Sequence, residues 1–187
     1  AEWAPRITIA AALGVCRALR VFGADAAIKW PNDVYAGGKK LSGILSELGM
    51  QGGERPFIVC GIGINVGQRA FSGELAETAT SLLLETGHTV ALERVISEVV
   101  CALAPLFPAC GEDAAYAVLM EEYRRLSCTL GRQVKITGVD GVRYGRAEGL
   151  DALGRLLLRT ADGTLLTIQA GDVSLRNAEK SEEREKE

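Results

Sequence analysis

Two stretches of this chain concentrate side chains able to handle anions. The first runs Lys29-Trp30-Pro31-Asn32-Asp33-Val34-Tyr35 and, past Gly37-Gly38, continues Lys39-Lys40-Leu41-Ser42-Gly43-Ile44-Leu45-Ser46-Glu47. An ammonium is a compact point charge that neutralises phosphate or carboxylate oxygens. A neighbouring carboxylate such as Asp33 can orient a nucleophile or take its proton. The second stretch, Gly61-Ile62-Gly63-Ile64-Asn65, closes an apolar run. Glycine lets a flat ligand come close to the backbone, and the asparagine amide offers donors and acceptors to a purine edge. Each piece also has a plain structural reading: Pro31-Asn32-Asp33 as a turn, Gly37-Gly38 as a hairpin tip, Lys39 and Lys40 as solvated charges, Gly-x-Gly as a bulge.

The elements that must position these residues follow from periodicity. Ile9, Leu13, Cys16 and Leu19 recur at helical spacing between Pro5 and Phe22, with Gly23 suited to ending that helix. Ala26 to Trp30 reads as a short strand stopped by Pro31, and Gly37-Gly38 as the turn of a hairpin joining Val34-Tyr35 to Leu41–Leu48. Phe57 to Val66 reads as a further strand, and residues 91–127 as two helices broken around Pro108 and Gly111. After Gly131 the texture changes to short β-prone runs bounded by Gly or Asp, which predicts a small all-β barrel or sandwich. The final residues are almost wholly charged and predict a disordered tail.

Composition narrows the classes. With 21 basic against 24 acidic residues spread along the chain, there is no broad basic face for a nucleic-acid backbone. No run approaches the roughly 20 apolar residues that cross a bilayer, and the N-terminus lacks a signal-peptide layout. Cys16, Cys60, Cys101, Cys110 and Cys128 are odd in number, widely spaced and set in apolar runs without a C-x-x-C pair. That predicts reduced, buried thiols in a cytoplasmic protein rather than disulfides or a zinc site. The single histidine, His88, falls in an expected surface loop, so a Ser-His-Asp hydrolase finds no support.

Taken together, the two stretches closely resemble the biotin protein ligase family. Its KWPND motif stands here as Lys29 to Asp33, its K-(L/V)-x-G-I-L-x-E hairpin as Lys40 to Glu47, and its G-x-G-x-N as Gly61 to Asn65. Ala79-Thr80-Ser81-Leu82 and the terminal Gly171-Asp172-Val173-Ser174-Leu175-Arg176 continue the likeness, which covers the chain to about residue 178. The resemblance implies an α+β fold: a mixed sheet packed with helices, the class II synthetase-like biotin/lipoate ligase core, over residues 1–128. A small C-terminal β-barrel domain follows over 129–178, then the charged tail, 179–187.

The resemblance also implies a reaction. ATP with Mg²⁺ activates biotin to biotinyl-5′-AMP, and a lysine of a biotin carboxyl carrier protein, a subunit of acetyl-CoA carboxylase, then displaces AMP. By the same likeness Lys40 contacts the biotin carboxylate and the α-phosphate, Lys29 serves the phosphate region, and Asp33 meets the incoming carrier lysine. Asn32 lines the site, Gly43 and Ile44 pack beside the biotin rings, Gly61 and Gly63 leave room for ligand, Asn65 reads adenine, and Arg176 reaches back to the nucleotide. Mg²⁺ is expected to be held by phosphates and water, with no dedicated carboxylate cage. Homodimerisation through the core sheet is a family property; no interface is legible in these residues.

The sequence also departs from the family. The S-T-N segment and the G-R-G-R-x-x-R loop found upstream of KWPND in family members do not occur; Gly131, Gly145 and Gly154 precede arginines but lack the rest of the pattern. A fragment of a longer ligase is the favoured explanation, with a shortened relative as the other. A lipoate or octanoate ligase is the rival enzyme, and a non-catalytic module binding biotin or its carrier is the rival of another class. The winged helix of some relatives is absent too, so repression of transcription is not inferred.

Overall fold

The computed structural model describes residues 3–51, 55–138 and 141–175. Helix α1 (Trp3–Val21) leads into β1 (Ala27–Lys29), β2 (Asp33–Ala36), β3 (Lys39–Gln51) and β4 (Arg55–Ile64). Five helical segments follow: α2 (Leu75–Thr78), α3 (Leu82–Thr86), α4 (Leu92–Leu103), α5 (Leu106–Ala109) and α6 (Asp113–Leu126). The chain then forms β5 (Gln133–Gly138), β6 (Gly141–Leu150), β7 (Leu156–Arg159), β8 (Leu165–Ile168) and β9 (Asp172–Leu175). Arg176 and the charged tail lie outside the described residues.

The first sheet has the order β1-β2-β3-β4, its ladders antiparallel, and its mixed character comes from isolated parallel bridges at Ile28–Ser127 and Lys40–Ala79. One face packs on α1, whose Ile9, Leu13, Cys16 and Leu19 are all buried, the four positions picked out by helical spacing. Helices α4, α5 and α6 also pack on α1, and α6 touches β1 as well. The hairpin between β2 and β3 turns on Gly37 (φ +55°) and Gly38 (φ +80°), a left-handed pair that non-glycine residues resist. The expected break around Pro108 contains the short helix α5; proline sits in its first turn, where no backbone N–H is needed. Helices α2 and α3 are absent from the sequence-based reading because a single turn carries too little periodicity.

The second sheet, order β8-β7-β6-β5-β9, is antiparallel throughout, and β8 and β9 form no ladder with each other among the described residues. Its strands turn Val134, Ile136, Ala147, Leu156, Leu158 and Val173 inward. No helix among the described residues is long and apolar enough to cross a membrane.

An ion pair ties α1 to α6. Arg17 Nε donates to Glu122 Oε1 at 2.8 Å, and a second guanidinium nitrogen bonds Oε2. That bond from Arg17 holds the Glu122 carboxyl below its ordinary 4.5. A lowered carboxyl contributes stability that is complete above the ordinary value and is lost as pH falls through the folded one. Both side chains are partly exposed, so the contribution is about 0.5–1 kcal/mol. Glu122→Gln should therefore narrow the gap between the unfolding free energies from urea titrations at about pH 7 and about pH 3 by this amount; an unchanged gap would show that the pair does not drive acid sensitivity.

All five cysteines are free thiols, but the expectation that all are buried needs correction. Cys101 is exposed, because the buried stripe of α4 is Val95, Val99 and Leu103 and residue 101 falls between its turns. Burial pushes the Cys16 thiol up to about 12 and the Cys110 thiol up to about 11, which suppresses their thiolates. A maleimide at neutral pH should modify Cys101 first and reach Cys16 and Cys110 only after unfolding, as peptide mapping can check. Labelling of Cys16 at the rate of Cys101 would contradict the core packing. His88 is exposed in a loop, as its sequence context suggests.

Candidate active site

Strand register gathers the chemistry into one row. Lys29 on β1 pairs with Asp33 on β2, Asp33 with Gly43 on β3, and Gly43 with Gly63 on β4. Directly opposed residues share a face at about 4.5–5.5 Å between strands. Lys29, Asp33, Gly43 and Gly63 thus cross the whole sheet on the face turned away from α1. Leu45 and Gly61, the next pair along β3 and β4, continue that face and are exposed.

Lys40 reaches the row through an irregularity. Strict alternation from Gly43 would turn Lys40 toward α1, but the β2–β3 register shifts between Val34 and Tyr35. Leu41 and Ser42 are consequently both buried, and Lys40 emerges on the open face. Its Nζ lies 2.6 Å from Asp33 Oδ1, the lysine half-exposed and the aspartate mostly buried. A Cβ on Gly43 would stand 2.9 Å from Lys40 Cε and 3.1 Å from Nζ, so glycine is what lets the lysine lie across the row. Lys39 is turned elsewhere, donating to Ala76 O at 2.7 Å.

Lys29 is 9% exposed, with Nζ donating to Tyr35 Oη at 3.1 Å and lying 3.9 Å from Asp172 Oδ1 on β9. Asn32 clamps β3: its Nδ2 donates to Ile44 O, and its carbonyl accepts from Ile44 N at 3.0 Å. The side chain of Ile44 points to the opposite face and is 3% exposed, because neighbours in a strand alternate. The Ile44 side chain and Gly43 therefore face opposite sides of the sheet, and the Ile44 backbone bonds Asn32.

Gly61 and Gly63 differ from Gly43. A Cβ there would meet nothing nearer than Leu45 O at 3.7 Å or Gly43 O at 3.8 Å, ordinary contacts. Nothing in the described residues requires glycine at either place, which leaves open space above this part of the sheet. Asn65, at the end of β4, accepts at its carbonyl from Leu82 N and commits Nδ2 to Thr80 O at 2.9 Å. Thr80 N in turn donates to Lys40 O at 2.9 Å. The Ala79–Leu82 stretch therefore couples Lys40 to Asn65, a role invisible in its residue types. Tyr35 and Asp172 were likewise missed: Tyr35 could have been found from β1–β2 pairing, Asp172 only from the tertiary fold. Among the described residues no group of three or more His, Cys, Asp or Glu side chains suits a resident metal ion.

Two lysines, a carboxylate and a strip of glycine backbone thus share one face of the first sheet, with Asp172 of the second sheet beside Lys29. The chain matches the family described as Biotin/lipoate A/B protein ligase family over residues 2–65, and Biotin protein ligase C terminal domain over 129–176. It is 34% identical over 183 residues to the Bifunctional ligase/repressor BirA of Escherichia coli, covering 95% of this chain and 56% of the relative. The Biotin--[acetyl-CoA-carboxylase] ligase of Paracoccus denitrificans is 32% identical over 169 residues, 86% of this chain and 69% of that one. The crystal structure of biotin protein ligase from Aquifex aeolicus matches with a TM-score of 0.81 at 30% identity, covering 95% of this chain and 77% of that one. The same enzyme in complex with biotin and ATP gives a TM-score of 0.79, covering 93% and 72%. This chain belongs to the biotin protein ligase family. It spans about half the length of the first curated relatives it matches.

Proposed function

We propose that this chain carries the ATP-dependent activation of biotin to biotinyl-5′-AMP and the transfer of the biotinyl group to a lysine of a biotin carrier protein. The observation that carries this reading is the row Lys29–Asp33–Gly43–Gly63 with Lys40 lying across it. In the first step a biotin carboxylate oxygen attacks the α-phosphorus of ATP, forming the mixed anhydride and releasing pyrophosphate. Two anions must meet, and negative charge grows on the phosphoryl oxygens, so a mobile cation between them lowers the barrier. Lys40, half-exposed and resting on Asp33, can exchange that carboxylate for the reacting oxygens. Lys29, fixed by Tyr35, would serve the phosphate chain as a second cation.

In the second step the carrier amine attacks the acyl carbon and AMP departs. The amine must lose a proton, and Asp33, released when Lys40 moves to the ligand, can receive it. Gly43, Gly61 and Gly63 would let the ligand lie against the backbone; Asn65 would meet the adenine edge with the amide atoms not committed to Thr80; and Asn32 lines the site while holding β3. Arg176 reaching the nucleotide belongs to the same proposal. So do the domain division at 128/129, the carboxyl carrier of acetyl-CoA carboxylase as acceptor, homodimerisation, and a cytoplasmic setting, which five free thiols suit. Mg²⁺ enters as the companion of the triphosphate, bound through phosphate oxygens and water.

Titration calorimetry with biotin, then with lipoate, tests the ligand. Biotin should bind and lipoate should not displace it at equal concentration. Displacement by lipoate would move the reading to the lipoate ligases, and biotin binding without adenylate formation would move it to a binding module.

A further inference from the structure

Between Lys29 and Asn32 lies Trp30, which is among the largest fully buried side chains of the molecule although it stands inside the site's own motif. Its polar atoms are held from outside its sheet. The indole Nε1 donates to Gly154 O at 2.8 Å, in the turn between β6 and β7, and the backbone N donates to Thr129 Oγ1 at 2.9 Å. The adjoining carbonyls are held from the same direction: Ile28 O accepts from Cys128 N at 2.9 Å, and Pro31 O accepts from Tyr123 Oη at 2.9 Å. Thr129 and Tyr123 are fully buried. Gly154 is wedged so tightly that a Cβ would stand 3.0 Å from Ile9 Cγ1 on α1. Ile28 O, Trp30 N and Pro31 O are thus each bonded to a residue beyond position 122.

We propose that Trp30 is a positioning residue: through Thr129 and Gly154, the segment leading into the second sheet and that sheet's β6–β7 turn set the end of β1, and with it Lys29 and Asn32. Asn32 passes the constraint on to β3 through its two bonds with Ile44. Its catalytic consequence rests on the ligase reading above; the mechanical coupling does not, and the two can be tested apart.

Thr129→Val keeps the side-chain shape but deletes the acceptor for Trp30 N–H, and Thr129→Ser restores it. Trp30→Phe removes the indole donor and keeps an aromatic in the core. In native-state hydrogen exchange, Thr129→Val and Trp30→Phe should speed exchange of the Ile44 amide about tenfold, the scale of one buried hydrogen bond lost. The β7–β8 ladder should change less than about twofold, and Thr129→Ser should behave as the parent chain. In pyrophosphate exchange the same two variants should lower kcat/KM for ATP about tenfold, with KM for biotin changing less than about twofold. Uniform acceleration at all amides, or no acceleration at Ile44, would overturn the proposal by reducing Trp30 to core filling. A parent chain without pyrophosphate exchange would instead count against the ligase reading, while the Ile44 amide would still decide the coupling.

Discussion

Replacing Lys40 with alanine should lower biotin-dependent pyrophosphate exchange about a hundred- to a thousandfold, the loss that follows removal of one preorganised group from a developing oxyanion. Lys40 is half-exposed and its ion pair with Asp33 is peripheral to the core, so the thermal midpoint should stay within about 2 °C. The effect should fall on kcat, because the interaction with the phosphoryl oxygens strengthens as their charge grows. Lys40→Arg should recover little. A guanidinium is planar and larger and spreads its charge over a fork, so it does not reproduce the compact ammonium placed 2.6 Å from Asp33 Oδ1. A Lys40→Ala chain retaining more than about a tenth of the parent rate would remove this lysine from the chemistry.

Gly63→Val should separate ligand from scaffold. A Cβ at Gly63 meets only Gly43 O at 3.8 Å, and β-branched residues suit a strand, so the variant should melt at or slightly above the parent temperature. The added isopropyl group would stand on the open face beside Gly43, in the space assigned to ligand. Biotin affinity should fall about tenfold to a hundredfold, the scale of a steric mismatch in a fitted pocket. Calorimetry and a thermal melt on one preparation decide it. A lowered melting temperature with unchanged affinity would mean that Gly63 serves the sheet and that the ligand lies elsewhere.

Much of the scaffold that carries this site is legible in the sequence. The hairpin on Gly37-Gly38, the helix carrying Leu13 and the strand ending at Asn65 follow from turn chemistry and periodicity. What escaped depended on single-residue shifts and on distance along the chain. A regular strand predicts Lys40 on the wrong face; the register shift beside Tyr35, with Leu41 and Ser42 both buried, corrects it, and no residue type there announces a bulge. The side of the sheet that Ile44 faces was legible too, because alternation alone puts it opposite Gly43. Cys101 was likewise readable from its offset to Val95, Val99 and Leu103 on α4. The partners of Trp30 were not, since Thr129 and Gly154 lie 99 and 124 residues away and only packing brings them together.

Exchange of labelled pyrophosphate into ATP, run with this chain, Mg²⁺ and either biotin or lipoate, tests the assignment of acid activation to the Lys40 face most directly. Exchange is expected with biotin and not with lipoate. Exchange driven by lipoate, or none with either acid, would contradict the proposal that these residues activate biotin.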